Sequence, residues 1–241
     1  MPSVLFVFTS ANKNSQGGPT GWYLPEAAHP YYALAPHVNI DFASPKGPNP
    51  PVDEYSVKAF AEDKDSVQFL NDETVKSKLA NAKKLSEVNA DDYAAVFYPG
   101  GHGPAIDLPF DTTNHKLASE ASNRYFLPGG QDYRCSLPRT SRKLTPGFCL
   151  SALVGATGKD GKSIFNNKKV TGFSNKEEEL LGTVKAVPFL LEDKIKENGG
   201  LYEMNNEPWE ANVVVDGNLI TGQNPNSGLG VGKAILAALQ K

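Results

Sequence analysis

Cysteine is scarce in this chain. Two in 241 residues, Cys135 and Cys149, do not make a disulfide framework, so a reduced, cytoplasmic protein is the expectation. Long apolar runs are missing as well: no stretch approaches the length needed to cross a membrane. The opening "MPSVLFVFTSANKN" has no basic region ahead of its short apolar run and does not read as a signal peptide. Nor is there a surplus of either charge. With 24 basic and 27 acidic residues the net charge is −3, which implies no general attraction to nucleic acid or to a membrane surface. The basic cluster Arg134, Arg139, Arg142 and Lys143 has no aromatic residues interleaved with it, and reads as a solvated loop. No internal repeat or linker divides the chain, so one domain over 1–241 is expected.

Alternation of two kinds of segment fills the rest. "SVLFVFTS", "HVNIDFASP" and "YAAVFYPGGHG" are short, nearly continuous apolar runs that end in Gly- or Pro-rich loops, as strands buried on both faces do. "LPEAAHPYYAL" between the first two is helical, with Pro25 suited to a first turn. Helical material follows to about Glu87, and "NHKLASEASNRY" is helical again. Further on come a strand in "NKKVTGF", a helix in "VPFLLEDKIKENGG", a hairpin around Asp216-Gly217 and a last helix, "GLGVGKAILAALQ". Strands alternating with helices predict an α/β sandwich with a mostly parallel sheet.

In such sheets ligands bind beyond the carboxyl ends of the strands. The first strand leads to Glu26 and His29, spaced i, i+3 on one helical face. Taken alone, Glu26 in a first turn complements the helix dipole, and His29 beside Pro30 reads as a packing residue. The third strand leads to "PGGHG", where Gly100 and Gly101 offer close backbone approach and N–H groups to an oxyanion, with His102 beside them. No Cys/His/Asp spacing near His102 suits a metal, and no metal is expected. Cys149, between Phe148 and Leu150, reads as a small buried hydrophobe as readily as a reactive thiol.

Taken together, "LPEAAHP", "YPGGHGPAIDLP", "KKVTGFSNKEEELLG", "VPFLLEDKIKENGGLYE" and "EPWEANVVVDGNLITGQNP" resemble the ThiJ/PfpI superfamily, and within it the glutathione-independent glyoxalases (glyoxalase III, D-lactate dehydratase). The resemblance implies a flavodoxin-like three-layer α/β sandwich, a homodimer, and no metal or organic cofactor. It implies conversion of a small 2-oxoaldehyde, methylglyoxal, to D-lactate through a cysteine hemithioacetal. Glu26 matches the family's glutamate acid/base, and Gly100-Gly101 its oxyanion turn. The rival readings from the same superfamily are a non-catalytic holdase, which would need exposed apolar surface, and a cysteine amidase or peptidase, which would need a histidine beside the thiol.

The family's nucleophile sits in a Cys-His-Gly-Pro elbow, and this chain has no Cys-His dipeptide. The departure covers about 122–151, where "GGQDYRCSLPRTSRKLTPGFCLS" shows neither strand alternation nor a helical stripe. Dropping one base from a back-translation of "RCSLPRT" yields Ala-Ala-Leu-Cys-His-Gly-Pro. A frame or intron error is therefore the favoured account and a divergent insertion the alternative. As written, the chain is expected to lack the central strand before the elbow, to leave sheet edges open, and to be inactive. Cys149, ahead of the helix-like "LSALVGA", is the remaining candidate nucleophile.

Overall fold

The structure, a computed structural model, describes residues 1–123, 143–145 and 150–240, the segment 143–145 by its backbone. The chain begins with β1 (Ser3–Val7), α1 (Leu24–Leu34) and β2 (Asn39–Ser44), followed by three short helices, α2 (Glu54–Ala59), α3 (Lys64–Asn71) and α4 (Glu73–Ala80). Next come β3 (Lys83–Lys84), β4 (Ala95–Phe97), α5 (Gly103–Asp107), α6 (Thr112–Asn123) and β5 (Lys143–Thr145). The remainder is β6 (Lys169–Val170), α7 (Asn175–Leu181), α8 (Leu191–Glu197), β7 (Leu201–Tyr202), the hairpin β8 (Val213–Asp216) and β9 (Leu219–Gly222), and α9 (Gly228–Leu239).

Seven strands form one sheet in the order β3-β2-β1-β4-β5-β9-β8. Every pairing in it is parallel except the β8–β9 hairpin, which turns at Gly217 with φ +63°. β6 and β7 make a small parallel pair of their own. The apolar run of β1 is divided between the two faces, as the two-residue period of a strand requires. Val4 and Phe6, with Phe8 just beyond, pack beneath α1 and α9 with Tyr31, Phe69, Val231 and Ile235. Leu5 and Val7 face the opposite layer with Leu117, Leu153, Phe165 and Ile195. This is the expected mostly parallel α/β sandwich.

α1 and α9 lie close together because Gly232 carries no side chain. A Cβ there would stand 2.9 Å from the Ala33 Cβ and 3.0 Å from the Pro30 Cα. α1 itself has no capping side chain of its own; the Ser56 hydroxyl, at the start of α2, accepts from the Leu24 N–H at 3.0 Å. The helix start that carries Glu26 is thus fixed by a buried side chain from α2.

Three expectations fail here. The sheet was expected to lack a strand beside β4, yet β5 pairs with β4 through Lys143–Thr145 and with β9 at Leu144. Two open parallel edges present unpaired N–H and C=O groups to the gap, and three residues of backbone suffice to satisfy them. So short a strand has no alternation for a sequence reading to detect. The helix expected in "LSALVGA" is only a 3-10 turn at Leu150–Leu153. The tail of the helical stretch that was to run to Glu87 is instead β3 and a 3-10 turn at Leu85–Glu87.

Candidate active site

The strand order reverses between β1 and β4, since the chain runs from β1 outward through β2 to β3 and then returns to the far side of β1. Loops leaving such a switch point part and open a crevice. Here the segment before α1 is laced to the turn after β4. The Tyr23 N–H donates to the Gly100 carbonyl at 2.7 Å, and the Gly103 N–H to the Gly21 carbonyl at 3.2 Å. Gly101 sits within this lacing at φ +112°, and a Cβ there would lie 2.7 Å from the Gly21 oxygen. Glycine is required twice over, by the dihedral and by the approach.

A cavity of about 390 Å³ opens above this turn, and Glu26, Gly101, His102, Ser151, Glu178 and Trp209 are among the residues lining it. The Glu26 carboxyl is buried at its floor. The Gly100 N–H donates to it, while Oε2 has no hydrogen-bond partner. Burial outweighs that one donor and pushes the carboxyl well above the usual carboxylate range. Burial therefore favours the protonated form of Glu26, which can give or take a proton at the cavity floor. Burial pushes the neighbouring Tyr23 phenol up as well.

On the opposite wall, His102 Nε2 lies 3.3 Å from Glu178 Oε1. Glu178 stands in the first turn of α7, nearly buried, and the Thr183 hydroxyl donates to its Oε2. The imidazole is thereby oriented by a carboxylate that is itself held. Immediately before it, Glu177 is fully buried and points the other way. Its Oε2 accepts from the Ser174 N–H at 3.0 Å and the Ser174 hydroxyl at 2.7 Å. Its Oε1 accepts from the Trp209 N–H, the Gln223 amide and the Asn224 amide at 3.0, 3.2 and 2.9 Å. Trp209, held at φ +68°, stacks obliquely on Phe173 with ring centres 5.7 Å apart.

Four of the sequence candidates fall in one place: Glu26, Gly101 and His102 line the cavity, and Gly100 contributes its backbone just beneath. Cys149 lies outside the described residues; Ser151, two positions later, lines the cavity. His29 is elsewhere, 2.9 Å from Asp63, the residue that caps α3. Sequence reasoning missed Glu177, Glu178 and Trp209. For Glu177 a signal was available, since Ser174 followed three residues later by a glutamate is a capping box. Glu178 and Trp209 carried none, because tertiary folding alone brings them to the cavity. Among the described residues, no group of three or more His, Cys, Asp or Glu is arranged to hold a metal ion. None of their helices is long and apolar enough to cross a membrane.

These features define a flavodoxin-like α/β protein with a carboxylic acid poised in a small-molecule cavity at the switch point. Comparison with known proteins agrees and narrows it, although no family model matches the chain. The glutathione-independent glyoxalase HSP31 of Saccharomyces cerevisiae is 33% identical over 233 residues, covering 93% of this chain and 92% of that protein. Glyoxalase 3 of Candida albicans is 28% identical over 100% of this chain and 99% of its own. Among solved structures, the rapid encystment protein REP24 of Francisella tularensis superposes with a TM-score of 0.86 at 33% identity, covering 99% of both chains. A ThiJ/PfpI domain protein from Brachyspira murdochii shares the fold, with a TM-score of 0.60 at 16% identity over 99% of this chain and 96% of its own. The chain belongs to the glutathione-independent glyoxalases.

Proposed function

We propose that the site is that of a glutathione-independent glyoxalase, converting methylglyoxal to D-lactate with no metal or organic cofactor. A thiolate adds to the aldehyde carbon to give a hemithioacetal. Glu26, having given its own proton to the aldehyde oxygen as the thiolate added, takes the proton from that carbon and returns it to the neighbouring carbon through an enediol, so the aldehyde carbon is oxidised as the ketone carbon is reduced. Water then cleaves the resulting thioester, releasing the hydroxy acid and the thiol. The Gly100-Gly101 turn steadies the oxyanion, and His102, oriented by Glu178, serves the same proton traffic. The observation that carries this reading is the buried Glu26 carboxyl, raised by burial and with Oε2 unpartnered at the cavity floor.

The thiol is the weak member. Cys149 is the candidate the sequence offers, two residues before the cavity-lining Ser151, and no Cys-His-Gly-Pro precedes it. Turnover by the chain as written is therefore expected to be slight or absent, and what there is should vanish in Cys149→Ala. The decisive experiment follows D-lactate from methylglyoxal, without glutathione, in this chain and in one where residues 134–151 are replaced by Ala-Ala-Leu-Cys-His-Gly-Pro. The restored elbow should raise turnover on the order of 100-fold or more, and Glu26→Gln should then remove a factor of about 10²–10⁴. A restored elbow no faster than the parent, or turnover indifferent to Glu26→Gln, overturns the reading. We further propose a single domain that acts as a homodimer in the cytoplasm; sedimentation at the monomer mass would refute the dimer.

A further inference from the structure

We propose that the substrate class of this site is an uncharged 2-oxoaldehyde bearing an aryl or similarly broad apolar side chain, preferred over the three-carbon compound. This rests on the glyoxalase reading of the site and extends it. The cavity of about 390 Å³ falls within the range that encloses drug-sized ligands, and a three-carbon oxoaldehyde would occupy a small corner of it. Its walls hold Tyr23, Phe173, Phe189 and Trp209, each half-buried and brought from a different part of the chain. Half-buried rings facing one concave space leave apolar area that a flat apolar group covers with gain. Trp209 stands there at a cost, in a left-handed conformation that its N–H bond to buried Glu177 maintains.

The charge of the ligand follows from what the cavity's acids are already doing. Glu26 is buried, and burial raises its carboxyl above the usual range, which favours the neutral form. Asp53 accepts from the Ser56 N–H at 2.8 Å, capping α2, and Glu178 pairs with His102. Among the described residues, no lining acid is left seeking a cation, and His102, the one basic group named there, is taken by Glu178. An uncharged carbonyl compound suits such a space.

Equilibrium dialysis with two unreactive ketols tests this without needing the thiol: 2-hydroxyacetophenone carries the aryl group, hydroxyacetone does not. The aryl ketol should bind at least tenfold tighter, and that preference should fall towards unity in Trp209→Ala and in Phe173→Ala. Both variants are made because either one alone risks a folding defect. Equal affinity for the two ketols overturns the proposal, whatever the turnover assays give. So does a preference that survives both substitutions, since the aryl group then binds elsewhere. Benzoylformate, with the same ring and a carboxylate, should bind at least tenfold more weakly than the aryl ketol; equal binding overturns the assignment of an uncharged ligand. Absence of turnover in the elbow-restored chain, with the aryl preference preserved, would fault the glyoxalase chemistry and leave the ligand class standing.

Discussion

Glu26 and Glu177 are two buried glutamates in the first turns of two helices on one side of the molecule, and the chain treats them in opposite ways. Glu177 receives five donors, two from Ser174 and one each from Trp209, Gln223 and Asn224. Glu26 receives the Gly100 N–H and leaves Oε2 with nothing. Burial is the same; satisfaction is not. A carboxyl group supplied with donors on both oxygens ties separate segments together, and moving a proton onto it would break that tie. One that burial leaves short of donors keeps its proton and is free to exchange it with a bound molecule. The difference between structure and chemistry here lies in the donor inventory around each carboxyl, which neither residue type nor depth reveals.

The largest effect should come from breaking the satisfied member. Glu177→Leu strands five buried donors and should cost roughly 5 kcal/mol of unfolding free energy, judged from the penalty for leaving buried polar groups unpaired. Glu177→Gln keeps the shape but must turn an NH₂ group towards N–H donors on one side, at about 3 kcal/mol. Urea denaturation gives both values. A loss below about 1 kcal/mol for either would mean that the hub does not hold α7 to the Trp209 and Asn224 segments as the hydrogen bonds imply. Next comes the turn beneath Glu26. Gly101→Ala meets a φ of +112° and a carbonyl oxygen at 2.7 Å. It should cost on the order of 2–3 kcal/mol and displace the N–H that reaches Glu26. An alanine variant as stable as the parent would show that the lacing between Gly21–Tyr23 and Gly100–Gly103 is loose.

What the sequence made legible divides along the same line. β1 and β4 read as buried strands because each is covered on both faces, which leaves a local apolar signature. The Gly100–His102 turn was legible because it follows β4 directly, and Glu26 because "LPEAAHP" carries the family resemblance. Glu177, Glu178 and Trp209 come from segments more than 70 residues beyond that turn, and tertiary folding alone brings Glu178 and Trp209 to the cavity with Glu26. β5 escaped for another reason: its place is set by the open edges of β4 and β9, and three residues carry no periodicity. The rule that reading lacked is that a gap between two strands recruits backbone whatever its side-chain pattern.

A smaller effect, with a definite sign, should come from Glu26 as the pH changes. Below pH 4.5, the ordinary value for a glutamate, Glu26 is protonated in both the folded and the unfolded chain and adds no pH dependence. Above it, the unfolded chain releases the proton while the folded protein keeps it, because the folded value is raised. Stability therefore falls by about 1.4 kcal/mol per pH unit until the pH passes that raised value. Glu26→Gln removes the slope, so the variant should gain on the parent as pH rises through this window. Parallel stability profiles for the two would show that Glu26 ionises normally, and the proton store at the cavity floor would be lost from the mechanism.

The smallest effect should come from His29, which shares a helical face with Glu26 and none of its surroundings. Its Nε2 lies 2.9 Å from Asp63, with both side chains partly exposed at 22% and 31%, so water screens much of the pair. The same Asp63 oxygen accepts from the Ser66 N–H at 2.9 Å and caps α3, so removing the histidine leaves the cap in place. His29→Ala should cost no more than about 1 kcal/mol in denaturation, and less in high salt. In the elbow-restored chain it should leave D-lactate formation within about twofold, against the factor of 10² or more expected from Glu26→Gln one turn away. A His29→Ala variant that loses turnover as Glu26→Gln does, at unchanged stability, would carry the catalytic face of α1 a turn further than the cavity reaches. Proton traffic would then have to run along the helix, past the close contact of Pro30 with Gly232.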